Sequence, residues 1–90
     1  MPKPLTPEQI DALRSVPLGE MPNKVRLALA MTKTRQADVV EETGIFASSL
    51  SDIVNGKYGD LNIETGRKLA AFFGPDCTIE DLFPAREAVA

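Results

Sequence analysis

Gly44 stands between two apolar patterns of helical period, which limits the chain around it to a pair of short helices meeting at a corner. In RQADVVEETGIFASSLSDIVNG, residues 35–56, Val39 and Val40 precede the glycine and Leu50, Ile53 and Val54 follow it. A helix that closes on a left-handed residue ends at glycine without steric cost. Ile45 is then placed to plug the corner, and a second helix starts at once. The pattern predicts helices over about 35–43 and 47–55, with Val39, Val40, Leu50 and Ile53 filling the angle between them. On the second helix, Ser48, Ser51, Asp52 and Asn55 fall on the arc opposite Leu50, Ile53 and Val54.

Start and stop signals place further helices around this pair. Thr6, Pro7 and Gln9 form a capping box with proline at the first helical position, and Leu5 and Ile10 form a hydrophobic staple. That helix runs to about Val16 and buries Ile10 and Leu13. Asn23 caps a helix to about Met31, with Val25, Ala28, Leu29 and Thr32 on one side. Asn62 caps another, from Ile63 to Phe73, which buries Ile63, Leu69, Ala70 and Phe73 and stops at Gly74-Pro75. TIEDLF makes a last short turn with Thr78 and Asp81 as its box. No strand alternation or repeat interrupts this order, so the fold class is all-α.

Ninety residues allow one core and not two. Histidine is absent and cysteine occurs once, at Cys77, so neither imidazole acid-base chemistry nor a Cys/His zinc site can be assembled. The adjacent carboxylates Glu41-Glu42 and Glu80-Asp81 point apart on a helix and read as solvated faces. An enzyme, a cofactor and a metal are therefore not expected. No apolar run reaches the ~18 residues of a membrane span, and the N-terminus lacks a secretion pattern, so a cytoplasmic protein is expected. The lone cysteine fits a reducing compartment.

The net charge of −3 argues against an indiscriminate nucleic-acid binder, because lysine and arginine supply most non-specific affinity. Its distribution is uneven. Residues 1–22 carry −1 and residues 59–90 carry −3, whereas residues 23–58, with Lys24, Arg26, Lys33, Arg35 and Lys57, carry +1. The Gly44 corner lies in the one segment that is not acidic.

Gln36, Val39, Val40, Gly44, Ile45, Leu50, Ile53, Asn55 and Gly56 stand at the spacing of the helix-turn-helix in XRE-type, lambda-repressor-like regulators. The resemblance extends through NKVRLALAM upstream and NIETGRKLAAFF and TIEDLF downstream. It implies a compact five-helix DNA-binding domain over residues 23–83, here preceded by an N-terminal extension with a short helix (residues 1–22) and followed by a tail (84–90). It further implies a transcriptional repressor that inserts helix 47–55 into the major groove of a palindromic operator as a homodimer. Base edges would meet Ala47, Ser48, Ser51 and Asp52, and phosphates would meet Gln36, Arg35, Lys33, Asn55, Lys57 and Tyr58.

Three positions depart from the family pattern. Val40 replaces the usual alanine, Phe46 replaces a small capping residue, and Arg35 replaces a capping Ser or Thr, with Thr34 as the alternative cap. Large apolar side chains concentrate near the C-terminus, and Phe72 and Phe83 are the candidates for a two-fold contact. Two other readings remain open at this point. One is a protein-interaction module on the same scaffold, an anti-repressor or adaptor recruiting a protein partner through Glu41, Glu42, Glu80 or Asp81. The other is an antitoxin-type autoregulator.

Overall fold

The computed structural model describes residues 4–57 and 62–84. Among them the chain forms α1 (Pro7–Ser15), α2 (Val25–Thr32), α3 (Gln36–Thr43), α4 (Ala47–Val54), α5 (Ile63–Phe73) and α6 (Ile79–Leu82). Tyr58 and residues 85–90 fall outside the described residues.

The first helix is set by the box read from the sequence. The Gln9 N–H donates to the Thr6 hydroxyl at 3.1 Å, and the Thr6 N–H donates to the Gln9 side chain at 2.9 Å. Leu5, Ile10 and Leu13 are all buried, and the Leu5 N–H donates to the Phe73 carbonyl at 2.6 Å. Helix α1 packs on α2 and α6. Leu5, Ile10 and Leu13 therefore share one core with the helices that follow. Three helices of this length bury too little to stand without their neighbours.

Helix α2 begins one residue later than its cap signal suggests. Lys24 occupies the cap position, while the buried Asn23 side chain accepts the Val25 N–H at 3.0 Å. Lys24 is also buried: its amine donates to the Leu13 carbonyl at 2.6 Å, in the last turn of α1, where the helix dipole favours a cation. At the far end, Lys33 adopts a left-handed conformation at φ 53°, and the Thr34 N–H returns to the Leu29 carbonyl at 2.9 Å.

Phe73, Leu13, Leu50, Leu69, Leu82, Val25 and Val39 are the large apolar side chains closed off completely. Three expectations change here. Val40 is only half-buried beside Val39. Ile63 is 46% exposed, because the buried stripe of α5 begins a turn later at Gly66. Phe83 is 3% exposed and part of the monomer core, so it offers no surface for a two-fold contact. Phe72 is half-buried and meets Phe73 edge to face at 5.2 Å.

The short α6 is held by Asp81, which is buried and not on the solvated face expected of the Glu80-Asp81 pair. Its carboxylate accepts from the Thr78 N–H at 2.9 Å and from the Arg14 guanidinium at 2.6 and 3.1 Å. Burial alone would raise this carboxyl; the hydrogen bonds from Arg14 and Thr78 and the guanidinium charge outweigh it and hold Asp81 below its ordinary 3.8. A lowered carboxylate contributes stability that is present above its unfolded pKa and lost as pH falls through the folded one. Thermal melts of the native chain and of Asp81→Asn should therefore differ at neutral pH, with the native chain the more stable. The two should converge below about pH 4. Parallel curves down to pH 2 would remove Asp81 from the acid response. Burial also pushes the neighbouring Cys77 thiol up to about 11, assisted by the Asp81 charge.

Candidate nucleic-acid interface

The corner between α3 and α4 is built as its sequence requires. Gly44 sits at φ 76° and its N–H closes α3 on the Val40 carbonyl at 3.0 Å. The Thr43 hydroxyl donates to the Val39 carbonyl at 2.6 Å and accepts the Ile45 N–H at 3.2 Å, which aims Ile45 inward, where it is 8% exposed. Phe46 follows in extended conformation, φ −63° and ψ 142°, and begins α4 without a side-chain cap.

Helix α4 divides cleanly into two faces. Leu50, Ile53 and Val54 are buried, while Ala47, Ser48, Asp52 and Asn55 are exposed and Ser51 is half-exposed. The four expected base-reading side chains thus lie together on one outward arc. Three small or hydroxyl side chains and one carboxylate line it, without an arginine, asparagine or glutamine at its centre.

Both ends of α4 are not held alike. At the C-terminal end, the Asn23 amide donates to the Ile53 carbonyl at 2.7 Å, and Gly56, at φ 73°, lies so close to Pro22 that an added Cβ would come 2.4 Å from the proline Cβ. The loop before α2 therefore clamps this end. The Asn55 carbonyl oxygen accepts from Arg26 at 3.0 Å, and its amide donates to the Ser51 carbonyl at 2.9 Å. Asn55, one of the expected phosphate-contacting residues, thus holds Arg26, which joins Lys57 as a cation presented at this end of the helix. Sequence reasoning passed over Arg26 because its link to Asn55 spans 29 positions. Its signal was the phase of α2, which buries Val25, Ala28 and Leu29 and turns Arg26 outward.

Gln36 and Arg35 are exposed at the start of α3. The first N–H groups of a helix have no intrahelical acceptor and attract an anion. Asp38 takes one such donor, the Arg35 N–H, at 3.1 Å, so Arg35 is capped by Asp38 and Thr34 does not serve. The Thr34 side chain is instead buried, with its hydroxyl 2.8 Å from that of Thr32. Arg35 also lies 3.6 Å from Asp38, a pair too exposed to restrain it strongly. Lys33 and Lys57 are exposed. Lys24 is withdrawn into the core, so Arg26, Lys33, Arg35 and Lys57 are the cations this segment offers to solution.

No family model, curated protein or solved structure matches the chain. Among the described residues no helix is long and apolar enough to cross a membrane.

Proposed function

We propose that this chain is a sequence-specific DNA-binding repressor of the lambda-repressor-like helix-turn-helix type, with α4 in the major groove of a palindromic operator and a second copy on the other half-site. The observation that carries the reading is the two-faced α4: it buries Leu50, Ile53 and Val54 and leaves Ala47, Ser48 and Asp52 open, next to a corner that brings α3 against it. A helix of this kind fits a groove about 12 Å wide. Gln36, Arg35, Lys33, Lys57 and Arg26 are the phosphate-contacting set, and they fix register without reading sequence. Serine bonds to several bases, so specificity rests on Asp52 with cytosine N4, on apolar contact with thymine, and on DNA shape.

The test is selection of bound duplexes from a random library, by the native chain and by an Arg35→Ala/Gln36→Ala double variant, at two salt concentrations. The native chain should enrich a palindrome. With about four phosphate contacts per monomer, affinity should fall with a log-log salt slope of roughly −3 to −4, and the double variant should flatten it. No enrichment at low salt by a folded protein would sink the reading.

A protein-interaction module is favoured by one observation, the exposed pair Glu41 and Glu42 on α3. Asp81 drops out of that surface because Arg14 and Thr78 hold it. Association with a basic partner that weakens in Glu41→Gln/Glu42→Gln, combined with no duplex enrichment, would select this second reading.

A further inference from the structure

We infer that Phe46 is a specificity-determining residue that reads the 5-methyl group of a thymine at each half-site. The inference rests on the DNA-reading assignment of α4 and adds to it a side chain outside the expected base-reading set.

Phe46 is 78% exposed, the most open large apolar side chain among the described residues. Its exposure follows from geometry: in extended backbone, successive side chains point to opposite sides, and Ile45 is directed into the core. Any residue at position 46 would face outward. The choice of phenylalanine is what lacks a folding rationale. The position is the N-cap of α4, where Ser, Thr, Asp or Asn would accept an orphan N–H, and phenylalanine makes no such bond. It also leaves an aromatic ring in water. Two local preferences are broken at one residue, and such conflicts mark functional positions.

The location specifies the ligand chemistry. N-terminal residues of a groove-bound helix meet the base edges, and Phe46 immediately precedes Ala47 and Ser48 at that end of α4. The major-groove edges of the four bases are polar apart from the thymine methyl, which is the group an aromatic or methyl side chain can read there. The bidentate readers, arginine for guanine and asparagine or glutamine for adenine, do not stand among Phe46, Ala47, Ser48, Ser51 and Asp52.

The experiment uses the full chain and the palindrome enriched from a random library. Each thymine is replaced in turn by deoxyuridine, which keeps every hydrogen-bonding group and lacks only the methyl. One symmetric pair of thymines should weaken binding by about fourfold per half-site, the worth of one buried methyl-sized group. Phe46→Leu should retain part of this thymine preference. Phe46→Ser, which supplies a favourable cap and so folds, should bind thymine and deoxyuridine duplexes equally while its salt slope stays native. Tolerance of deoxyuridine at every position by the native chain, or an unchanged thymine preference in Phe46→Ser, overturns the assignment of Phe46 and leaves α4 as a reading helix. A folded native chain that enriches no duplex overturns both.

Discussion

Asn23→Ala should lose about 2–3 kcal/mol of stability, lowering the melting temperature by roughly 10–20 °C in a domain of this size. The side chain is 2% exposed and serves two helices at once, donating to the Ile53 carbonyl and accepting the Val25 N–H. Alanine leaves the buried Val25 N–H without its acceptor and takes one of two donors from the Ile53 carbonyl, which keeps the Gly56 N–H at 3.1 Å; an unpaired buried donor is more costly than the loss of an exposed bond. The cap contribution alone is about 1 kcal/mol, so a measured loss no larger than that would mean that the Asn23 bond to Ile53 adds nothing to the Gly56 N–H the same carbonyl accepts. Amide exchange gives a second readout. Protection should fall first in the last turn of α4 and the first turn of α2, the two ends that Asn23 joins.

Gly56→Ala should be at least as damaging, at about 2–4 kcal/mol, and Gly44→Ala should cost only about 1 kcal/mol. Both glycines have left-handed backbone, at φ 73° and φ 76°, so the conformational penalty for a side chain is shared. Their surroundings differ. A Cβ at Gly44 meets nothing within 4 Å, whereas one at Gly56 would lie 2.4 Å from the Pro22 Cβ and 3.1 Å from its Cγ. Proline has no flexible end to move aside, so the loop before α2 must shift, and Asn23 with it. Chemical denaturation of the two variants separates strain from collision; equal losses would show that the loop yields freely. Asparagine sharpens the comparison, because it tolerates the left-handed region and still carries a Cβ. Gly44→Asn should be close to native and Gly56→Asn should not.

The parts of this fold that were legible in the sequence are those governed by neighbours within a turn or two. The Thr6 box, the Asn62 cap, the Gly44 corner and the two faces of α4 all depend on spacings of one to four residues. What escaped depends on pairs distant in the chain. Asp81 looked like a surface carboxylate until Arg14, 67 positions away, was found against it. Lys24 counted as a surface charge until its amine was found on the Leu13 carbonyl. Phe83 read as a candidate for a two-fold contact because large apolar side chains concentrate near the C-terminus, and the packing of α6 against α1 and α5 buries it within the monomer. The candidate interface divides in the same way: the outward arc of α4 follows from period alone, whereas the Arg26 to Asn55 link needed two helices brought together.

The separation of α4 into two faces makes its outward side rewritable. Positions 46, 47, 48 and 52 are exposed and carry no core packing, and Leu50, Ile53 and Val54 are buried and closed to any partner. A combinatorial library at 47, 48 and 52 would keep the native scaffold in most of its members, since surface replacements away from special backbone or caps change stability by only about 0.5 kcal/mol, and position 46, the N-cap, would favour Ser, Thr, Asp or Asn for stability. On the proposed reading of α4, ninety residues with a clamped C-terminal end of that helix form a small chassis whose outward side chains can be exchanged without redesigning what holds it together.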